Sequence, residues 1–522
     1  MQSTPENFQY DSCVSRGICS VNPRTSALTV ILVIFLKLTA KFLLIVNKSE
    51  PIDKKIKDLF LETIIIAVSQ QEFCETYFLQ SVEKFKELLS NICKKSYELN
   101  ENDEFKNEDI KSSELFTQTE NIIDSIRLGE KILKKTVSES SPEIRDLHQT
   151  IMVISRSLSI NLLDLESFEE NYDDGFLALL DLFNTIGTKG ISAETLKEKL
   201  VNASQINNNA LFKLRNAQEN RYGKQYVKEV SYSTTGGKAV LVGGSNIREL
   251  ENVLEALKNE KIDVYTHDEM MLAHTFPKFS EYKSLKGQFG QGLENCLIDF
   301  ATFPGPVIFT KHSLHNIENL YRGRIFTTDD ILPQGVIRIK NNDYSEVINS
   351  ALTAKGFKKG KICESVKIGY NFEETVNLIK SKLENKSRIF MIGFLQDSYE
   401  LETYFKKLVK HTPKDTLVIS FSCDFESENC IYINTCFDSA VLIKIFDEIK
   451  NYGLPVTVFM PKCTHDTIFQ IIYLSDSENT TVYAEKCTPV ILNPSLLQTF
   501  SKIFGIKIID TVKKDIRDIT GS

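Results

Sequence analysis

The chain has 522 residues, 42% hydrophobic and 25% charged, with 62 basic against 70 acidic side chains. That length is more than one hydrophobic core can organise and implies about three domains. The net charge of −8 excludes a globally basic, nucleic-acid-binding surface. Eleven cysteines are too few, and odd in number, for a disulfide framework. With no signal-peptide pattern at the start, the expected compartment is the reducing cytoplasm.

In chain order, Cys13 and Cys19 come first, in a segment preceding any helix. Their spacing alone favours two free thiols over two metal ligands. Next, SALTVILVIFLKLTAKFLLIV (26–46) has nearly the length of a membrane span. Lys37, Lys41 and Lys48 line one helical face there, however, and lysines near the middle of a span are costly. A buried helix of a soluble domain is therefore expected, with membrane attachment as the alternative. Residues 25 to about 220 contain little Gly or Pro and repeat their apolar residues at helical spacing, which predicts antiparallel helices in bundles. The charged, Asn-rich stretch 96–114 reads as a surface connection. SPEIRDL and SAETLKE each open with a serine cap and an early acid, the signature of a helix start at Ser141 and at Ser192.

The pattern changes at RYGKQYVKEVSYSTTGGKAVLVGGS. KAVLVGG, NIRELENVLEALKNEK and IDVYTHDE read as strand, helix and strand, a βαβ unit of a parallel sheet. GPVIFT, RIFMIGF, TLVISFS, LPVTVFM and NTTVYA are further buried strands, several separated by helices such as EETVNLIKSKLEN. The expected architecture is α plus α/β: a helical-bundle domain (1–225, two bundles, with the cysteine segment at its start) and two Rossmann-like α/β domains (226–375 and 376–522). Loops at the C-terminal ends of parallel strands are where such folds place their sites. These loops hold Ser245, His267 to Glu269, Lys311 to Ser313, Leu395, Cys423 and Cys463.

Motifs narrow the chemistry only partly. GQFGQG (287–292) does not link a first strand to its helix, so it reads as a tight structural loop rather than a dinucleotide fingerprint. VLVGGSN is better placed for an anion but lacks the Lys–Ser/Thr pair of a phosphate loop. Cys423, Cys430, Cys436 and Cys463 converge near the end without a C-x-x-C, so a four-thiolate site there would be non-standard. No G-x-S-x-G elbow and no H-E-x-x-H occurs. DVYTHDEMMLAHTFPKF (263–279) fits a metal site and a polar turn about equally.

YTHDEM, LKGQFGQG and FATFPGPVIFT, with GGKAVLVGGSNIREL upstream and YRGRIFT, PQGV and NPSLLQTFSKIFGIK downstream, resemble the hybrid-cluster (prismane) protein family, the hydroxylamine reductases. The resemblance runs in order over nearly the whole chain. It implies a helical N-terminal domain, two Rossmann-like domains, an N-terminal iron–sulfur cubane and a hybrid iron–sulfur–oxygen cluster where the domains meet. It also implies reduction of hydroxylamine to ammonia and of nitric oxide to nitrous oxide, with electrons from an NADH-dependent reductase.

Position by position, the resemblance places two cubane ligands at Cys13 and Cys19 and leaves the other two without a cysteine. It places hybrid-cluster ligands at Glu269, Cys423 and Cys436. The family's histidine falls on Ser245 and its cysteine after the FPGP strand on Ser313. Its sulfur-modified cysteine, in a Gly-Gly-Cys turn, falls on Leu395, and its last glutamate on Thr464, with the lysine beyond it on Asp466. Hydroxyls are poor ligands for iron and leucine is none, so the thiolate count that sets cluster affinity has fallen. His312, Cys463 and His465 stand beside lost positions and could rebuild a site, although neighbours on a strand face opposite sides.

The resulting expectation is a divergent relative with degraded iron–sulfur sites and reduced or no catalysis, acting as a scaffold or as a binder of a protein partner or small ligand. The alternative is an active iron–sulfur oxidoreductase working on hydroxylamine or nitric oxide with an altered cluster. A monomer that engages neither nucleic acid nor membrane is expected in both cases.

Overall fold

Scarcity of Gly and Pro keeps the first part of the chain helical. The computed structural model describes residues 23–68, 75–99, 115–139, 141–188, 190–290, 296–314, 322–329, 332, 335–395, 399–435, 437–462, 465–485 and 494–521. Helices α1 (Pro23–Val46), α2 (Lys54–Ala67), α3 (Glu75–Leu99), α4 (Ile122–Glu139), α5 (Pro142–Ser167), α6 (Asp173–Thr185) and α7 (Ala193–Tyr222) follow one another. The serine caps form as expected: Ser141 Oγ accepts from Ile144 N at 3.3 Å and Ser192 Oγ from Thr195 N at 3.0 Å. Most of the 96–114 connection lies outside the described residues, its first four belonging to α3.

Two compact units result, Met1–Leu211 with Cys463–Ser477 and Ala484–Ile508 in one, and Phe212–Lys462 with Glu478–Tyr483 and Ile509–Ser522 in the other. In the first, α1 is the centre. Among the described residues it is the one helix long and apolar enough to cross a membrane. It is covered here by α2, α3, α4 and α6, with Phe35, Thr39, Ala40 and Phe42 wholly buried. Gly129 on α4 permits a close crossing with α1, since a Cβ there would lie 2.7 Å from the Ala27 carbonyl carbon. Two late helices, α14 (His465–Ser475) and α15 (Pro494–Phe504), pack on α5 in the same unit. There Thr499 Oγ1 donates to buried Asp146 at 2.7 Å.

The second unit is built on parallel sheets. The first has the order β4-β3-β2-β5-β6-β7, formed by β2 (Lys238–Gly243), β3 (Ile262–His267), β4 (Leu285–Gln288), β5 (Val307–Phe309), β6 (Ile325–Thr327) and β7 (Ile337–Arg338). All its pairs are parallel. Strand β1 (Lys228–Ser231) pairs antiparallel with β8 (Ser365–Ile368) as a separate ribbon. The second sheet has the order β11-β10-β9-β12-β13-β14, from β9 (Arg388–Ile392), β10 (Thr416–Ser420), β11 (Cys430–Tyr432), β12 (Val456–Met460), β13 (Thr480–Ala484) and β14 (Lys507–Ile508). The strands RIFMI, TLVIS and VTVFM are buried almost throughout, the continuous apolar run of a sheet covered on both faces. Helices α8 (Ile247–Ala256), α9 (Cys296–Thr302), α10 (Ser345–Thr353), α11 (Phe372–Lys382), α12 (Tyr399–His411), α13 (Ser439–Ile449) and α16 (Val512–Thr520) complete the unit. Parallel pairing brings the ends of β2, β3 and β5 to one edge of the first sheet, and those of β9, β10, β11 and β12 to one edge of the second.

Candidate functional site

At the first edge, β2 ends in Gly243-Gly244-Ser245. Gly244 has φ +110°, and a Cβ there would overlap Thr310 Oγ1 and come within 2.7 Å of Ser313. Only glycine lets the β2 turn close on the loop after β5. Thr310 N donates to Gly243 O at 3.0 Å, and Ser313 N to Thr310 O at 3.1 Å. Ser313 is buried with its hydroxyl 3.3 Å from Thr310 Oγ1, whereas Ser245 is exposed. A second device holds the same loops. Glu249, in the first turn of α8, accepts from Lys311 N at 3.0 Å and Thr328 Oγ1 at 2.7 Å. Burial pushes its carboxyl up, against the lowering effect of these two donors.

The segment after β3 forms short helical turns, Asp268–Thr275 and Pro277–Glu281. Asp268 takes φ +52°, and half-buried Glu269 sits in the first turn beyond the strand. Both histidines are structural. His267 Nε2 lies 3.1 Å from Asp299 Oδ2, with its ring 4.8 Å from that of Phe300. His274 Nε2 lies 3.0 Å from Thr266 Oγ1, which donates to Gln288 at 2.6 Å. Burial, with Lys228 adding to it, pulls His274 down to about 4. Glu251 of α8 clamps the segment: it accepts from Lys278 at 2.6 Å, Arg248 at 2.7 Å, Arg221 at 2.9 Å and the Tyr222 hydroxyl at 3.0 Å.

The second edge is apolar. Phe394 follows β9, Phe421 follows β10 and Phe437 follows β11; the Phe394 ring lies 5.9 Å from Phe421 and 5.7 Å from Phe437, both edge-on. Lys462, after β12, sets its ammonium 3.8 Å from the Phe437 ring centroid and donates its backbone N–H to Phe394 O at 3.1 Å. Leu395 packs on the core cluster formed by Phe390, Ile392, Phe405 and their neighbours. Ser422 donates to Gly393 O. Cys423 is half-buried, and burial, with Glu402 adding to it, pushes its thiol up to about 11.

The folded chain thus puts Ser245, Glu269 and Ser313 at one strand edge, and Leu395 and Cys423 at the other. Cys13, Cys19, Cys436, Cys463 and Thr464 lie outside the described residues, as does the side chain of His465. His312 has φ +64°; its backbone N–H reaches Asp329 Oδ2 at 3.0 Å and its Nδ1 stands 3.4 Å from Oδ1. Among the described residues, no three His, Cys, Asp or Glu side chains gather as metal ligands do. Of the five described positions, two carry a donor suited to iron. A third is filled by a leucine packed against core, so the described positions by themselves do not supply a thiolate set for an iron–sulfur cluster.

A helical unit joined to parallel sheets, with the candidate positions at the C-terminal strand edges, defines a mixed α and Rossmann-like α/β protein. The chain belongs to the Prismane/CO dehydrogenase family, which it matches over residues 9–429. It is 24% identical over 536 aligned residues to the hydroxylamine reductase of Thermodesulfovibrio yellowstonii, covering 97% of each chain. To that of Thermotoga maritima it is 27% identical over 409 residues, 73% of this chain and 94% of the other. Among solved structures, an alpha subunit of acetyl-CoA synthase/carbon monoxide dehydrogenase, described with NiZn[Fe4S4] and NiNi[Fe4S4] clusters, aligns at 10% identity and TM-score 0.46 over 97% of this chain and 83% of that one.

Sequence reasoning missed the aromatic corner, the Glu249 bracket and the Glu251 clamp. The first had a signal: GFL, FSC and CFD each set a phenylalanine within two residues of a candidate position. Glu249 and Glu251 look in sequence like ordinary acids of an amphipathic helix.

Proposed function

We propose that this family member has lost the complete hybrid cluster and the reductase chemistry that depends on it, and serves in the cytoplasm as a binding protein or scaffold. The observation that carries the reading is the second strand edge. Where the family resemblance calls for a Gly-Gly-Cys turn, this chain has Gly393-Phe394-Leu395. Phe394 joins Phe421 and Phe437 in an edge-on aromatic set, with Lys462 on its outer ring. Side chains of that size occupy volume that an inorganic cluster would need, and burying them rewards the corner for staying closed. Ser313 supports the same reading, because its hydroxyl is committed to Thr310 and to the loop backbone.

Iron and acid-labile sulfide in protein purified without oxygen test the proposal. The expected result is substoichiometric iron and no visible absorption band; several irons per chain with a broad visible band overturn it. The rival, an active hydroxylamine or nitric oxide reductase with an altered cluster, draws on the two donors kept at Glu269 and Cys423 and on similarity to hydroxylamine reductases along the full chain. It requires reductant-dependent hydroxylamine consumption that falls in Glu269→Gln and in Cys436→Ser.

A further inference from the structure

Residues 232–238 and 354–363 face each other as an antiparallel extension of the β1–β8 ribbon, through bridges Thr234↔Lys361 and Gly237↔Phe357. Across these seventeen residues the sequence has five lysines and no acid, in a chain whose net charge is −8. Lys238 is used internally, its ammonium donating to Ala354 O. Lys355, Lys358, Lys359 and Lys361 are exposed, and among the described residues none of them is in a salt bridge. Glu364 adjoins the strip, and Asp263 beside it already accepts from Thr235 and pairs with Lys286 at 3.4 Å. Beside the lysines Ile362 is 95% exposed, the most exposed large apolar side chain described.

The strip is held on a fixed frame. Thr234 N donates to Lys361 O at 2.9 Å, with Lys361 N returning to Thr234 O at 3.0 Å, and Phe357 N donates to Gly237 O at 2.8 Å. Gly360 allows this approach, since a Cβ there would come within 2.5 Å of Thr234 O. Phe357 then turns inward, its ring 5.6 Å from Phe303 and 5.8 Å from Tyr265. Phe357 is the inward anchor of the strip, while Lys355, Lys358, Lys359, Lys361 and Ile362 are all solvent-exposed.

We propose that this ribbon is a docking surface for an acidic protein partner, its carboxylates meeting Lys355, Lys358, Lys359 and Lys361 and an apolar side chain covering Ile362. An aliphatic centre with a charged rim is the composition of a protein interface. Nucleic acid is the less suitable occupant, because the strip offers neither arginine nor an outward aromatic on which a base could stack, and the chain as a whole is acidic. The inference does not depend on the state of the cluster.

The test is fluorescence anisotropy on the full chain, with a labelled twelve-residue peptide of alternating Glu and Leu. An all-Glu peptide and a single-stranded DNA of equal charge are the comparisons. The Glu–Leu peptide is expected to bind tightest and to weaken as salt rises. The triple variant K358E/K359E/K361E should lose about tenfold or more, and I362S about threefold with the salt dependence unchanged. Circular dichroism confirms that both remain folded. Affinity within twofold of the parent in the triple variant overturns the proposal, as does DNA binding tighter than the peptide. Loss of a homodimer in I362S, read by sedimentation, also overturns it by making the ribbon a contact between copies.

Discussion

Replacing Glu251 by Gln should loosen the corner that carries Glu269. Glu251 is 5% exposed and receives Lys278, Arg248, Arg221 and the Tyr222 hydroxyl, four donors converging on two oxygens. Burial alone would raise its carboxyl; the Lys278, Arg221 and Tyr222 donors outweigh burial and hold it below the usual range. Glutamine keeps the shape, removes the charge and turns an N–H2 group toward cations. Breaking a buried ion pair costs about 3–5 kcal/mol. Here the cations are 31–38% exposed and can turn to water, which discounts the loss to roughly 2–3 kcal/mol. A chain with two compact units need not unfold in one step, so a global midpoint is the wrong readout. Hydrogen exchange followed by mass spectrometry localises the loss instead: peptides covering 219–224 and 276–282 should exchange about 30-fold or more faster, while those in α1 stay unchanged. Tyr222→Phe, which removes one donor, should cost about 1 kcal/mol. If Glu251→Gln leaves exchange in 276–282 within twofold of the parent, the clamp does not hold the segment and the reasoning fails.

Acid should weaken both units before any carboxylate titrates in bulk. Burial pulls His274 down to about 4; burial also pulls His148 down to about 4, outweighing its hydrogen bond to the Thr185 backbone, with Lys37 adding to the effect. These folded-state values lie below the unfolded one, so between about pH 6.5 and 4 the unfolded chain binds more protons. Stability is then complete above pH 6.5 and lost as pH falls. Linkage gives about 2 kcal/mol per histidine at pH 5 relative to pH 8. Urea midpoints followed by exchange in each unit test this, and equal midpoints at the two pH values count against it. Gly244→Ala should cost on the order of 2–4 kcal/mol, from φ +110° and from overlap with Thr310 and Ser313. Faster exchange at 310–314 is the expected sign, and an unperturbed loop would contradict the contact.

The helical first part, the parallel strands and both serine caps were legible because each rests on local periodicity or a short polar signal. α1 was readable as a buried helix because its lysines fall on one face, although its length and hydropathy satisfy a membrane span. What could not be read was how side chains from distant loops meet. Thr310 and Ser313 meet Gly244 across more than sixty positions of sequence, and Lys278 reaches Glu251 across 27. The DVYTHDEM segment shows the limit most clearly. Its histidines suggested metal as readily as a turn until His267 was found on Asp299 and His274 on Thr266, contacts that no spacing announces.

The two strand edges differ in character, and the difference bears on what each could hold. The first edge is a polar, tightly hydrogen-bonded frame in which Ser313 is close in size to a cysteine, so a thiol there would meet little steric resistance. At the second, Phe394, Phe421 and Phe437 pack edge-on with Leu395 against the core beside them, and that packing opposes opening the corner. If the proposed loss holds, rebuilding a metal site at this edge would require shrinking Phe394, and with it Phe421 or Phe437, as well as adding ligands.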